Sequence, residues 1–255
     1  MADLITHKII KSGDIVERYV YEKGYLKGYE MSESDVKARE EGFGDESEEE
    51  IRERSLRRAK TNLRRLVNAN VGQYGEGCTA KFLTLTFREN IRDVKNANYY
   101  FTKFIKRLNY AIKSILKYTA VVEFQKRGAI HYHVILYNMP FVHWEKILKV
   151  WKAGNKDGGI WINKIDDVEN VGAYVGEYLG QSDKGQGRDV DDDRLKGQKS
   201  YFSSRGLYKP IEITEKEKVE ALAEALPNHK IIYSASFENE HVGKVSYVQY
   251  NLKLS

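Results

Sequence analysis

Two histidines one residue apart, His131 and His133, sit inside the otherwise apolar run "GAIHYHVILYN" at residues 128–138. In a strand, residues two apart share a face, so both imidazoles would project to the same side. The segment before them, "YTAVVEFQ", leads into "KRG", which reads as a three-residue hairpin loop with Gly128 as the left-handed residue such loops use. Counting back from that loop, Gln125 opposes Ala129, Glu123 opposes His131 and Val121 opposes His133. Glu123, Gln125, His131 and His133 then occupy one face, and Val122, Phe124, Ile130, Tyr132, Val134 and Leu136 the other. Two neutral imidazoles with oxygen donors and open positions are what a catalytic divalent cation needs. The donors suit Mg²⁺ or Mn²⁺, zinc would also bind in vitro, and Cys78, the single cysteine, rules out a thiolate cage and an internal disulfide.

A second group of reactive side chains follows in "DDVENVGAYVGEYLG", residues 166–180. Helical spacing places Val168, Val171, Val175 and Leu179 on a narrow apolar stripe, with Tyr174 and Tyr178 together at its edge. Gly172, Gly176 and Gly180 line the opposite edge, where glycine costs about 1 kcal/mol each relative to alanine, so something should approach that backbone closely. A phenol of pKa about 10 is a poor nucleophile near neutrality unless a cation neutralises charge on the group it attacks. The histidine face would supply that cation.

These residues need elements to hold them. "KFLTLTF" (81–87) alternates Phe82, Thr84 and Thr86 against Leu83, Leu85 and Phe87, the period of a strand. Thr84 and Thr86 are expected to be strand filler. The next segment carries Phe101, Phe104, Ile105, Leu108, Ile112 and Ile115 on one helical stripe. After the histidine hairpin come a short helix with Trp144, Ile147, Leu148 and Trp151, the strand "GGIWINKI" and the tyrosine helix. The order β-α-β-β-α-β-α implies an α+β fold, a central antiparallel sheet flanked by helices. Upstream lie strand-like pieces, an acidic turn "EEGFGDESEEE" and the arginine-rich helical stretch "IRERSLRRAKTNLRRLVNANV". Downstream of a polar stretch past residue 182 come a strand-like segment, a helix over "TEKEKVEALAEAL" and a closing hairpin, expected to extend the fold without a second core. The expected organisation is 1–75 as an N-terminal extension, 76–183 as the core and 184–255 as a C-terminal extension.

The chain has 255 residues, a net charge of +5, 42 Lys plus Arg and 18 tyrosines. Tyrosine faces can stack on unpaired bases while cations follow phosphates, which favours a nucleic-acid partner. No apolar run is long enough to span a membrane, and "MADLITHKII" lacks the basic and apolar blocks of a signal peptide, so a cytoplasmic protein is expected.

"FLTLTF" (82–87), "EFQKRGAIHYH" (123–133) and "AYVGEYLG" (173–180) resemble, in order and spacing, the three motifs of the HUH endonucleases of the rolling-circle replication initiator type, and look most similar to its two-tyrosine members of phages and plasmids. The resemblance covers about residues 80–182. It implies a ferredoxin- or RRM-like sheet, Mg²⁺ or Mn²⁺ on His131 and His133 with Glu123 as third ligand and Gln125 as its competitor, and Tyr174 and Tyr178 as nucleophiles. One tyrosine would nick single-stranded origin DNA, forming a 5′-phosphotyrosine and freeing a 3′-hydroxyl; the second tyrosine or that hydroxyl would later reverse the linkage. The family commonly has lysine three residues after a catalytic tyrosine, where this chain has Glu177 and Gln181; Lys184 is the candidate a turn further on. Arg57, Arg58, Arg64, Arg65 and Arg205 are candidates for origin DNA contacts. A helicase and a polymerase of a prokaryotic host are implied partners, with self-association left open. HUH transposases and relaxases share the chemistry, and a non-catalytic nucleic-acid-binding protein with a structural ion is the reading from another class. No P-loop signature is present, so unwinding would come from elsewhere.

Overall fold

A computed structural model describes residues 3–28, 47–75, 78–125, 128–165, 170–176 and 199–253. The fold is α+β with antiparallel sheets, as expected, but there are two five-stranded sheets and the chain divides into two compact units. The first comprises residues 1–59 and 210–255, the second residues 60–209. Among the described residues no helix is long and apolar enough to cross a membrane.

The first unit joins the two ends of the chain. Strands β1 (Asp3–Ser12) and β2 (Ile15–Lys27) pair with β8 (Ile211–Ile213), β9 (Ile231–Asn239) and β10 (Gly243–Asn251) in the order β8-β1-β2-β10-β9. Helix α5 (Lys216–Ala225) seats Val219 on Ile9, Val16 and Tyr250, so the terminal segments do have a small core of their own. On the other face Lys8 lies over the rings of Tyr19, Tyr21 and Tyr25, and the buried Glu17 accepts from the Tyr247 hydroxyl at 3.0 Å.

The second unit holds every candidate metal ligand. Its strands are β3 (Thr79–Thr86), β4 (Tyr118–Phe124), β5 (Ile130–Met139), β6 (Gly159–Lys164) and β7 (Tyr201–Ser203), ordered β6-β3-β5-β4-β7. Helix α2 (Val94–Ile112) connects β3 to β4, and α3 (Trp144–Lys152) connects β5 to β6. Two split βαβ units therefore interleave, the ferredoxin-like arrangement, with β3 and β5 at the centre. The Asp93 side chain caps α2 by accepting from the backbone of Lys95 and Asn96, and a left-handed Lys113 ends it. That stop leaves Ile115 outside the helix and 76 % exposed, although the apolar spacing had extended to it.

Alternation along β5 divides the interior. Tyr132, Val134 and Leu136 pack with Leu83, Leu85, Phe101, Phe104, Leu108 and Trp151 beneath α2 and α3, while Trp144 stays outside. Ile135 and Tyr137 pack with Phe82 and Val121 on the opposite face. That second face is covered in turn by Leu63 and Val67 of α1 (Glu48–Asn68) and by Val171 and Val175 of α4 (Val171–Gly176). The face expected to be polar is thus apolar over much of its length and polar only toward the hairpin end.

Asn70, fully buried just past α1, uses its whole amide. Its Nδ2 donates to the carbonyls of Leu66 and Tyr208 at 2.7 and 2.9 Å, and its Oδ1 accepts from the Tyr208 N–H at 2.9 Å and the Tyr74 hydroxyl at 2.7 Å. One side chain thereby ties the segment after β7 to the end of α1.

Candidate metal and tyrosine site

The hairpin has the expected register. Glu123 pairs with His131 and Val121 with His133 across β4 and β5, Gln125 donates its N–H to the Ala129 carbonyl at 2.8 Å, and Gly128 has φ +80°. Glu123, His131 and His133 are consequently on one face, with Gln125 following one step beyond the end of β4. Glu123 Oε2 meets His133 Nε2 directly, and both side chains are nearly buried. A charged or polar pair in so dry a place is costly unless its atoms are matched, and here they are matched to each other.

Strand β3 supplies what sequence reasoning undervalued. Thr84 opposes His133 in the sheet, and its Oγ1 lies 3.2 Å from His133 Nδ1. The hydroxyl can serve either tautomer of the ring. It accepts from Nδ1–H when the Nε2 lone pair is free for a cation, and it donates to Nδ1 when Nε2–H is given to Glu123. Thr86, opposite His131, instead exchanges bonds with the backbone of Gly159 and holds β6 in place, as filler would.

Among the described residues no three His, Cys, Asp or Glu side chains are already gathered as an ion-binding set. One imidazole and one carboxylate are together, and the second imidazole, His131, enters from the same face. The donor types fit a divalent cation of the Mg²⁺ or Mn²⁺ class, with no thiolate to favour a softer ion.

The tyrosine helix is built by its neighbours. Asn170 caps α4, its Oδ1 accepting from the Ala173 N–H at 2.9 Å. Asn68 of α1 donates from Nδ2 to that same Oδ1 at 2.9 Å and accepts from the Gly172 N–H at 2.7 Å. Gly172 is the close approach anticipated from the glycine edge: a Cβ there would strike the Arg64 carbonyl oxygen and the Asn68 amide. Gly176 has open space around it. Val171 and Val175 are buried, as their spacing required, and Tyr174 sits half-buried at the rim.

Phe82 connects the two groups. Its ring stacks on His133 with centroids 5.6 Å apart, and the Tyr174 ring meets it edge-on at 5.5 Å. Tyr174 and His133 are therefore separated by a single aromatic ring on one face of the sheet. The other interior phenols of this region are unsuited to attack. Burial, followed by the neighbouring Tyr208, pushes Tyr74 up to about 12, and burial also raises Tyr137 and Tyr201, so their phenolates are disfavoured.

Tyr178, Lys184, Glu177 and Gln181 lie outside the described residues, as do Val168, Leu179 and Gly180. Arg57 and Arg58 are exposed on the part of α1 within the first unit, where Arg57 pairs with Glu53 at 3.3 Å. Arg64 and Arg65 are half-buried on the part within the second unit. Arg205 is exposed, and its carbonyl accepts from Lys117 Nζ at 2.8 Å.

Comparison with known proteins points the same way. Residues 80–183, the stretch from β3 through the tyrosine helix, match a family of replication-associated proteins, the ORF2 family. The chain is also similar to the Phasyl DNA replicon protein arp of Escherichia coli, 27% identical over 121 residues that make up 38% of this chain and 42% of the relative. It thus spans less than half the length of that relative. No solved structure matches significantly. Both matches are replication proteins, and together they support a role in initiating DNA replication.

Proposed function

We propose that this protein initiates replication by nicking single-stranded origin DNA through Tyr174, becoming joined to the cut strand. In that reaction the Tyr174 oxygen bonds to a backbone phosphorus and the bond from that phosphorus to the 3′ oxygen breaks. The phenol gives up its proton and the departing 3′ oxygen gains one, so a 5′-phosphotyrosine and a free 3′-hydroxyl result. The reverse attack, by that hydroxyl or by Tyr178 on the linkage, rejoins strands. His131, His133 and Glu123, with Gln125 beside them, would hold Mg²⁺ or Mn²⁺, which when bound neutralises charge on the scissile phosphate. Thr84 orients the His133 ring, Phe82 spaces it from Tyr174, and Asn68 and Asn170 fix the helix from which the phenol projects. Host helicase and polymerase partners belong to the same proposal.

The observation that carries this reading is the shared Phe82: an imidazole paired with a carboxylate on one side, a phenol on the other. The test is to incubate the full chain with a pool of single-stranded oligonucleotides and Mn²⁺ and to seek an adduct that survives denaturation. Mass spectrometry should place it on Tyr174 or Tyr178. Tyr174→Phe together with Tyr178→Phe should abolish the adduct, and His131→Ala should nearly do so. No adduct with any sequence or metal would leave a DNA-binding protein without nicking activity.

A further inference from the structure

The helical side of the second unit carries cations that this chemistry does not use. Along α2 and its C-cap, Lys95, Tyr99, Lys103, Lys106, Tyr110 and Lys113 recur every three or four residues, and all six are exposed. Helix α2 contains no Asp or Glu, and among the described residues none of these four lysines has a carboxylate partner. Lysines on an exposed helix face are commonly relieved by acidic residues a turn away, and Lys103 and Lys106, a turn apart, instead repel. Helix α3 adds Lys149 and Lys152, and its Lys146 Nζ donates to the Ala111 carbonyl at 2.9 Å, holding the two helices together. The single carboxylate on either helix, Glu145, is 3.5 Å from His143.

Shape narrows the partner. At about 1.5 Å per residue, α2 is a convex rod roughly 28 Å long, close to one turn of duplex DNA at about 34 Å. Proteins that stack unpaired bases do so in grooves, and this face has none. A rod bearing unrelieved cations suits a row of phosphates, with Tyr99, under Lys103 Nζ at 5.3 Å, and the 89 % exposed Tyr110 among them. The stripe is on the far side of the sheet from the histidines, because α2 packs on Tyr132 and Val134, the residues alternating with His131 and His133.

We propose that the outer face of α2, with the lysines of α3, docks the phosphate backbone of duplex DNA. If the nicking reading holds, the second unit grips duplex on one side of its sheet and an unpaired strand on the other.

The test compares the full chain with the variant Lys95→Gln, Lys103→Gln, Lys106→Gln, Lys113→Gln. Binding of a labelled duplex of arbitrary sequence is followed by anisotropy across a series of salt concentrations. Each phosphate contact contributes about 0.9 to the slope of log K against log salt, so the slope should fall by about 3 to 4 and affinity at moderate salt by roughly tenfold or more. The melting temperature and any covalent adduct on a short single-stranded oligonucleotide should be unchanged. An unchanged slope and affinity overturns the proposal, as does a loss confined to single strands or to anionic vesicles. It is also overturned if Lys11→Gln, Lys23→Gln, Lys244→Gln, Lys253→Gln in the first unit costs as much, since net charge would then be the cause. Duplex binding is read without catalysis, so a wild-type protein that forms no adduct refutes the nicking reading and leaves this measurement intact.

Discussion

Two glycines one turn apart in α4 should respond in opposite directions to the same substitution. At Gly172 an added methyl meets the Arg64 carbonyl oxygen, a backbone atom no side-chain rotation can move, together with the Asn68 amide. Overpacking of this kind costs roughly 1–3 kcal/mol, and weakening the 2.7 Å bond from the Gly172 N–H to Asn68 adds about 1 kcal/mol. Better helix propensity returns about 1 kcal/mol, which leaves Gly172→Ala destabilised by about 1–3 kcal/mol. For a domain of this size each kcal/mol moves the melting temperature by roughly 2–4 °C, so the midpoint should fall by roughly 3–10 °C. Gly176 has nothing within 4 Å of a new Cβ, so Gly176→Ala should gain up to about 1 kcal/mol. Thermal unfolding followed by circular dichroism measures both. Because Gly172 precedes Tyr174 by two residues, Gly172→Ala should also slow adduct formation while Mn²⁺ affinity persists. A Gly172→Ala protein that melts at or above the wild-type temperature would refute the claim that α1 and α4 are in backbone contact there.

Three further outcomes follow from other parts of the second unit. Thr84→Val removes the hydroxyl that orients His133 and should weaken Mn²⁺ binding by roughly 10- to 100-fold in calorimetric titration with little change in melting; unaltered affinity would make Thr84 mere filler. Asn70→Ala strands the Tyr208 N–H and carbonyl, the Leu66 carbonyl and the Tyr74 hydroxyl, and should cost about 3 kcal/mol or more in urea unfolding. Tyr74, Tyr118 and Tyr201 hold their protons more tightly folded than unfolded because burial disfavours the phenolate. The stability they contribute is fully present below pH about 10, where unfolded tyrosine titrates, and is lost as pH rises toward the folded value, about 12 for Tyr74. Urea midpoints measured through that range should therefore fall, and tyrosinate absorbance showing every phenol titrating near 10 in the folded protein would contradict this.

What sequence could disclose here was local. The pairing of Glu123 with His131 was legible because Gly128 marks the loop and a one-residue slip would put the apolar residues on the wrong face. The buried stripe of α2 and the pair Val171 and Val175 were legible for the same reason: a short period repeated. Periodicity failed at Ile115 because it continues past the point where Lys113 turns left-handed. Distant pairings left no trace. The contact of Thr84 with His133 depends on β3 lying beside β5, and the joining of the chain's two ends into one sheet depends on β1 and β2 finding β8 and β10. The apolar cover on the histidine face was missed because Leu63 and Val67 come from a helix whose arginines dominate its composition. Asn170 did carry a readable signal, an N-cap residue just ahead of a helical pattern.

The edge of the second sheet bears on how this protein could be dissected. Strand β7, though only Tyr201–Ser203, saturates the backbone of β4, the strand carrying Glu123, and α1 floors the opposite face with Leu63 and Val67. Neither piece falls within residues 80–183, the stretch shared with replication proteins. A fragment excised at those limits would keep the histidines and tyrosines yet present a bare strand and an oily underside, inviting self-association through both. The shared stretch is a chemical module without being a self-sufficient one, and a soluble minimal version would have to begin before Leu63 and run beyond Tyr208.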